Sequence, residues 1–358
     1  MGGSIGLVDA MRIGPDTGAD WGAILPNFHL GTRLYFLHNR VWHNDPDCLM
    51  VRAPLTLTQA RSFASWIAVS GSLNLVSEWL PGLPADRLDC IKRSMPNTGL
   101  AARPLDLFEN MPARVWHLTD GQRHVVGLFN WDAGKPITAR VKLEQLGLET
   151  AGARFVGLDY WSGGPVPIDG AALSVELPPS GCSIVALAPL RDRPQLLGTS
   201  RHITQCFVDV GADQWTRPVL SGTCKVVGGD PTELRIALAS TRGGWKPVAA
   251  DVASADREAG ATVSLKEEDG LVRVTLGAPA NREVRWSVRF ADEPVRSGDG
   301  LVAPRYLTHS MNTPALLTVA LAVAASVLCV GAPHPLHAGN VVWPIPSTNA
   351  SGSRPLVH

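Results

Sequence analysis

Two segments near the start of the chain bring together residues that could do acid–base chemistry. Each is a short apolar run that breaks into an acidic loop rich in glycine or proline, and they span 6–21 and 41–51. Their carboxylates are Asp9, Asp16, Asp20, Asp45 and Asp47. Strands deliver carboxylates to a site in this way, at the point where the strand ends. Together with Trp21, Trp42 and His43, these carboxylates predict a pocket that combines proton-transfer groups with aromatic side chains, as cleavage of a sugar requires.

Each of these residues also has an ordinary structural explanation. Aspartate is a common turn former, and for any single aspartate here that explanation is as good as catalysis. Asp45 and Asp47 are predicted to be structural, accepting backbone N–H groups within their loop. Asp9 is either a polar contact to the sugar or a buried, hydrogen-bonded carboxylate. Trp21 and Trp42 either stack on a pyranose ring or belong to the core.

Strands and helices alternate in the segment that must position these residues. The predicted elements are a strand over 5–13, a helical segment over 27–37, a helix over 60–69, a short apolar run over 73–76 and a helix over 84–95. Pro15 must end the first strand because proline cannot donate to the ladder, so Asp16 lies just past a strand end. Thr56 and Gln59 have the spacing of a capping box at a helix start. The pattern indicates a β/α alternation of about three units.

From Pro96 onward the pattern changes to short strands separated by Gly, Pro and Asp turns. The first group of predicted strands covers 115–118, 124–131, 138–143, 154–160, 173–177 and 183–188. Their spacing predicts an antiparallel β-sandwich over 97–192. A second β-rich domain is predicted over 193–292, with strands over 234–239, 261–266, 271–276 and 284–290. The Glu-Glu-Asp-Gly turn at 267–270 is a hairpin signal between two of them.

Composition limits the possible partners. The 358 residues suit two or three domains, and 32 basic residues balance 32 acidic ones. Without net charge there is no electrostatic case for a nucleic-acid or anionic-membrane partner. The six cysteines include no Cys-x-x-Cys pair and no Cys/His cluster at zinc spacing, so we expect no structural metal. Disulfides and buried free thiols both remain compatible with them.

The last part of the chain, 293–358, is predicted to be a loose tail. It contains an apolar run over 315–332 without a charge, which is at the lower length limit for a transmembrane helix and also suits a secretory signal. A membrane partner is expected only if this run is a real anchor. It is otherwise an appended foreign segment starting near Met311, or a buried helix of the fold. A secreted or extracytoplasmic location is favoured over a cytoplasmic one.

Two motifs, in the right order, carry a resemblance to a family. Arg12 and Asp16 fit an Arg-x-x-x-Asp segment, and 44–47 fit an Asn-Asp-Pro-Asp segment, with the helix-forming segment 60–80 after them. The chain here resembles the later half of the catalytic barrel of α-galactosidase (melibiase) type glycoside hydrolases. The segment 128–136, LFNWDAGKP, is similar to the small β-sandwich that follows such barrels. The resemblance covers about residues 1–190, although Gly14-Pro15 replaces a Ser-containing form common in the family.

The resemblance implies a fold and an activity. Residues 1–96 would be the last strands of a (β/α)8 TIM barrel, followed by the β-sandwich. The activity would be retaining hydrolysis of terminal α-galactosides or a related sugar, without a cofactor. Asp16 would be the catalytic acid/base, and Arg12, Trp21 and Asp9 would contact the sugar, although a salt bridge is an equal explanation for Arg12.

The same resemblance predicts an incomplete site. In these enzymes the nucleophile comes from an earlier strand, in a Lys-x-Asp segment, and this chain has no lysine before Lys92. We therefore expect an N-terminally truncated chain that is inactive alone, since a partial barrel leaves a strand edge unpaired. The alternative is a non-catalytic carbohydrate-binding or scaffold remnant whose stable parts are the β regions.

Overall fold

Frequent glycine and proline keep most elements of this chain short. A computed structural model describes residues 2–238 and 243–294, where strands predominate over helices. The helices of this part are α1 (Trp21–Leu34), α2 (Leu57–Ser70), α3 (Ala85–Ser94) and α4 (Ser254–Glu258). Short 3-10 turns occur at Gly2–Ser4, Tyr35–Leu37, Leu80–Gly82 and Leu143–Leu146. The chain is thus mostly β with few helices.

Four very short parallel strands organise the first part of the chain. They are β1 (Ala10–Arg12), β2 (His43–Asp45), β3 (Cys48–Leu49) and β4 (Leu75–Val76). β1 pairs with β2, and β3 pairs with β4. Additional backbone hydrogen bonds run from the Ile13 amide to the Asp45 carbonyl and from the Leu73 amide to the Asn44 carbonyl. Three chain segments therefore lie side by side, and their carboxyl ends share one edge.

The predicted strand over 5–13 is wrong in its first half. Residues 2–4 form a 3-10 turn and β1 begins only at Ala10, so Asp9 lies before the strand. Ile5 and Leu7 are exposed. The parallel pairing with β2 covers only three residues of each strand, Ala10–Arg12 against His43–Asp45.

The two long helices of this part are fixed by their ends. Thr56 and Gln59 form the predicted capping box of α2, and Gly71 ends the helix in the left-handed conformation, with a φ of 77°. α1 begins at Trp21, six residues before the predicted helical segment, because the Asp20 side chain caps it by accepting the Ala23 amide. α2 is buried almost throughout and packs against strands of the next region.

The first β region contains two antiparallel sheets. Its strands are β5 (Arg103–Pro104), β6 (Val115–Thr119), β7 (His124–Phe129), β8 (Ile137–Lys142), β9 (Phe155–Asp159), β10 (Pro165–Val166), β11 (Ile168–Asp169), β12 (Ala172–Leu177) and β13 (Cys182–Pro189). One sheet has the order β10-β9-β13-β7-β6-β5 and the other β11-β12-β8. Alternate residues of β7, such as Val126 and Leu128, enter an apolar cluster with Val141 of β8. Their neighbours Val125 and Phe129 face the opposite way, into a cluster shared with α1 and α2.

The second β region contains two antiparallel sheets of four strands each, which pack around a core of their own. Its strands are β14 (Gln195–Thr199), β15 (Val210–Thr216), β16 (Val219–Val226), β17 (Thr232–Ala237), β18 (Gly243–Val252), β19 (Thr262–Glu268), β20 (Leu271–Gly277) and β21 (Arg282–Pro294). The orders are β14-β17-β20-β19 and β15-β16-β21-β18. Leu234 and Val274 from the first sheet pack with Trp286 and Val288 from the second.

The strand predictions of both β regions overlap observed strands, but seven strands were missed. The predicted hairpin joins β19 to β20 through Asp269 and Gly270, both with positive φ, as a two-residue type I′ turn requires. In the first region the missed strands are β5, β10 and β11, each only two residues long, and in the second region they are β14, β15, β16 and β18. Polar and small residues interrupt their alternation, and β14, β15 and β18 each contain a register irregularity.

Five of the six cysteines lie in the described residues, and all five are free thiols. Within the same residues no helix is both long and apolar enough to cross a membrane. Cys329, the apolar run 315–332 and nearly all of the predicted tail fall outside the described residues.

Candidate active site

Arg12 connects two carboxylates at the shared carboxyl edge of the parallel strands. It is the last residue of β1, and its Nη2 atom lies 2.7 Å from Oδ1 of Asp16. The same nitrogen lies 2.8 Å from Oδ2 of Asp47, which follows β2. The two sequence motifs, more than thirty positions apart, therefore meet at one guanidinium because their strands pair in parallel. The Oδ1 atom of Asp16 and the Oδ2 atom of Asp47 are therefore no further apart than the sum of these two distances.

Asp47 is held firmly within its loop. Its Oδ2 atom accepts the Thr17 amide at 2.6 Å and the Thr17 hydroxyl at 2.9 Å, in addition to the Arg12 contact. Its own amide donates to Oδ1 of Asp45 at 2.8 Å, and its φ of 71° is left-handed. These are the contacts of a residue that fixes a turn, and they involve Asp45 as well.

Hydrogen bonding sets the charge state of Asp47. Partial burial acts to raise its pKa, but the Thr17 amide and hydroxyl, the Cys48 amide and the Arg12 charge outweigh it. The pKa of Asp47 is therefore below its ordinary value. Asp47 is therefore ionised at neutral pH, and its Oδ2 atom is already engaged by Thr17 and Arg12.

Asp16 has the opposite character. Its side chain is 94% exposed, and its contact is with Arg12. Contacts with the core hold the turn before Asp16 in place. Ile13 is buried, and the Asn27 side chain donates to the Pro15 carbonyl at 3.2 Å. Gly14 is required there, because a Cβ atom would lie 1.7 Å from Oδ1 of Asn27. Asp16 is thus an accessible carboxylate on a turn that buried neighbours hold in place.

The aromatic residues singled out in the sequence lie in the core. Trp21 is buried, donates its indole N–H to the Trp131 carbonyl at 3.2 Å and packs edge-on against Phe28. Trp42 is buried as well and donates to Oδ1 of Asn44 at 3.1 Å. Both tryptophans therefore belong to the core, and neither presents an exposed ring face on which a pyranose could stack.

Asp9 is exposed, so it is not the buried carboxylate that was one of its two alternatives. It lies at the amino end of β1, whereas Arg12 and Asp16 lie at the carboxyl end. Its backbone carbonyl accepts the His43 amide at 2.8 Å. The structure does not bring the Asp9 side chain together with Arg12 and Asp16.

Two residues after β4 were missed by the sequence analysis. Glu78 has a nearly inaccessible side chain, which accepts the amides of Val51 and Arg52 and so joins the third strand segment to the second. Trp79 follows it and is 77% exposed, at the same carboxyl edge of the parallel strands. The signal was present in the sequence as an acidic residue and a tryptophan directly after an apolar run. Trp79 therefore presents an exposed aromatic ring at this edge.

Within residues 2–238 and 243–294 no group of three or more His, Cys, Asp or Glu side chains could hold a metal ion.

Solved structures similar to this chain are enzymes of the α-galactosidase type, in agreement with the resemblance carried by the sequence motifs. One is a GH27 β-L-arabinopyranosidase from Geobacillus stearothermophilus, with 17% identity, a TM-score of 0.44, and coverage of 51% of this chain and 45% of that one. Another is an α-galactosidase from Saccharomyces cerevisiae with raffinose, with 15% identity, a TM-score of 0.41, and coverage of 51% and 60%.

A third is α-galactosidase I from Mortierella vinacea, with 10% identity, a TM-score of 0.42, and coverage of 51% and 53%. The chain thus covers about half the length of the structures it matches. No protein-family model matches it.

Proposed function

We propose that this chain carries the acid/base side of a glycosidase site of the α-galactosidase type. Asp16 donates a proton to the glycosidic oxygen of a terminal α-galactoside or related sugar as the bond to the anomeric carbon breaks. It then takes a proton from the water that releases the sugar. Arg12 positions the carboxylate and contacts a sugar hydroxyl, and Trp79 supplies an apolar ring face. The observation that carries the proposal is the exposed Asp16 carboxylate held by Arg12 at the carboxyl edge of the parallel strands.

The proposal includes a fold assignment for the first 96 residues. The parallel pairs β1–β2 and β3–β4, with α1 and α2 between the three segments, have the alternation of a (β/α)8 barrel. We assign 1–96 to the last strands of such a barrel, 97–192 to a β-sandwich and 193–292 to a second β-rich domain. In barrel enzymes the residues that do chemistry lie at the carboxyl ends of the strands, as Arg12 and Asp16 do.

The nucleophile is proposed to come from residues that this chain does not contain. A retaining glycosidase uses two carboxyl groups about 5–5.5 Å apart. Asp47 lies within this distance of Asp16. Its Oδ2 atom, however, already accepts from the Thr17 amide, the Thr17 hydroxyl and the Arg12 guanidinium. A carboxylate with this role in its loop is better suited to fixing the turn than to attacking a sugar. The chain alone is therefore expected to bind sugar without turning it over.

Two measurements on the full chain test the proposal. The first is ligand-observed NMR with millimolar galactose, which detects weak binding; we expect saturation transfer to galactose that is lost in Arg12→Ala. The matched control is Asp169→Asn, an exposed aspartate on β11, which should bind as the wild type does. The second measurement is hydrolysis of 4-nitrophenyl α-galactoside, for which we expect no turnover.

The two measurements fail in different ways. Galactose binding that is unchanged in Arg12→Ala would contradict the location of the site. Turnover by the chain alone, abolished by Asp16→Asn, would show that the nucleophile is present and that only the incompleteness of the site was wrong.

A second candidate is a non-catalytic carbohydrate-binding or scaffold role for the β regions. The observation in its favour is that each β region buries a core made of its own residues. Under this alternative, the full chain would bind oligosaccharides on a glycan array and the double variant Arg12→Ala/Asp16→Asn would give the same binding pattern.

A further inference from the structure

A polar cavity of about 180 Å³ lies where the two β regions meet. The start of β7 and the end of β13 form one side of it, and the chain around β14 and β15 forms the other. It is far from β1 and β2 in the chain and shares no residue with the candidate active site. Its volume is below the roughly 300–1,000 Å³ typical of pockets for drug-sized ligands, so it suits a small molecule.

One side chain lining this cavity is buried and only half satisfied. Gln205 is 1% exposed, and its Nε2 atom donates to the Leu158 carbonyl at 3.2 Å and to the Ile184 carbonyl at 3.0 Å. These two bonds to carbonyl oxygens fix which end of the amide is the donor. Its Oε1 atom is buried and has no hydrogen-bond partner among residues 2–238 and 243–294. A buried acceptor without a donor is rare and calls for an explanation.

The backbone around Gln205 is arranged to hold this amide in place. Gln205 and Cys206 have φ values of 43° and 63°, two successive non-glycine residues in the left-handed region. Gly198, beside an irregularity in β14, makes room: a Cβ atom there would lie 2.2 Å from Oε1 of Gln205. Such backbone conformations persist where the surrounding structure enforces them, and they cluster at ligand sites.

Positive charge surrounds the same cavity. Its lining contains Arg123, Arg191 and Arg193, against one carboxylate, Asp213. Asp213 is already engaged, with its Oδ1 atom 3.3 Å from Nη2 of Arg123. The Asp213 charge also acts on Arg193, so this one lining carboxylate is shared between two of the three guanidinium groups.

Arg191 and Arg193 also act on each other. Burial lowers the pKa of Arg193 below its ordinary value, and the charge of Arg191 lowers it further. His124 adds no charge at neutral pH, because burial lowers its pKa as well. Two mutually repelling guanidinium groups beside a cavity are stabilised by an anion that accepts from both.

We propose that this cavity is a binding site for a small hydroxylated oxyanion, with Arg191 and Arg193 binding its carboxylate or phosphate group and Gln205 Oε1 accepting its hydroxyl. The two halves of the cavity require different groups of one ligand. An acidic monosaccharide, either a sugar acid or a sugar phosphate, provides both. A neutral sugar lacks the oxyanion, and a simple anion such as acetate lacks the hydroxyl.

The test is isothermal titration of the full chain with D-galacturonate, galactose 1-phosphate, galactose and acetate. We expect one or both acidic sugars to bind at least tenfold more tightly than galactose and acetate, and the tighter of the two identifies the oxyanion. The double variant Arg191→Gln/Arg193→Gln should lose at least tenfold of that affinity. Arg140→Gln, an exposed arginine on β8, is the control that should leave it unchanged.

Arg12→Ala separates this site from the proposed active site. Acidic-sugar binding that survives Arg12→Ala and is lost in Arg191→Gln/Arg193→Gln supports the proposal. Binding lost in Arg12→Ala but retained in the double variant overturns it, as does the absence of binding by either acidic sugar. Equal affinity for acetate overturns the role of Gln205.

Discussion

At the scale of single residues, the two carboxylates beside Arg12 differ in what surrounds them. Asp16 is almost fully exposed, whereas the Asp47 side chain is 14% exposed and accepts from Thr17 twice through one oxygen. The first is open to solvent beside Arg12, and the second holds the loop against which Arg12 lies.

Replacing Asp47 by Asn should destabilise the fold in a pH-dependent way. The change removes the charge that Thr17 and Arg12 stabilise, so we expect a loss of about 1–3 kcal/mol in the free energy of unfolding at pH 7. The folded pKa is lowered, so the stabilisation by the wild-type carboxylate is present above about pH 4, the ordinary aspartate value, and is lost as the pH falls through the folded value. Urea unfolding at pH 7 and at pH 3 measures the difference.

The control for this prediction is Asp169→Asn, which should change the unfolding free energy by no more than about 0.5 kcal/mol at either pH. A loss in Asp47→Asn that is the same at pH 7 and pH 3 would contradict the assigned electrostatic origin.

At the scale of elements, the site depends on where α2 ends. Gly71 follows the helix with a φ of 77° and leads directly to Ser72 and Leu73, whose backbone reaches β2. A Cβ atom at Gly71 would lie 1.8 Å from the Leu100 carbonyl oxygen. Two effects therefore require glycine here, the backbone conformation and the close approach of another chain segment.

Comparison of Gly71→Ala with Gly99→Ala separates the two effects. Gly99 has a similar φ of 73°, but a Cβ atom there meets nothing within 4 Å. We expect Gly99→Ala to cost about 1–2 kcal/mol from the left-handed conformation alone. Gly71→Ala should cost about 1–3 kcal/mol more, since the Leu100 backbone must move. Urea denaturation of both variants gives the two free energies, and equal losses would contradict the close approach.

At the scale of the whole molecule, α3 connects the first part of the chain to the second β region. The Arg93 guanidinium forms two parallel hydrogen bonds with Asp230, at 2.9 and 2.8 Å, and the pair is largely shielded from solvent. The Ile203 amide also donates to the Arg93 carbonyl, and Arg201 donates to the Lys92 carbonyl. These contacts join segments that are more than a hundred residues apart in sequence.

A double-mutant cycle on Arg93→Gln and Asp230→Asn should give a coupling free energy of about 1–3 kcal/mol. The reason is the two-bond geometry of a shielded pair, which salt screens weakly. The exposed pair Lys142 and Glu144, 3.7 Å apart, is the matched control and should couple by at most about 1 kcal/mol. Urea unfolding of the four chains of each cycle measures both values, and equal coupling in the two cycles would contradict the connecting role of Arg93.

Local signals predicted much of the fold, and they failed where the signal was not local. The Thr56–Gln59 capping box and the Asp269-Gly270 turn need only neighbouring residues, and both are present as predicted. The strand over 5–13 failed in its first half, to which the pairing with β2 does not extend. The strands β14 and β15 were missed because bulges interrupt their alternation.

The sequence by itself indicated the change to short strands after Pro96, the capping box, the 267–270 hairpin and the motif pair of Arg12, Asp16 and 44–47. Those features depend on residue types and on short spacings along the chain, which the sequence gives directly. The tertiary structure alone decided that one guanidinium joins Asp16 to Asp47, that Trp21 is core and that Trp79 is exposed. Burial and contact between distant segments are properties of packing, so residues of the same type receive opposite roles according to what lies against them.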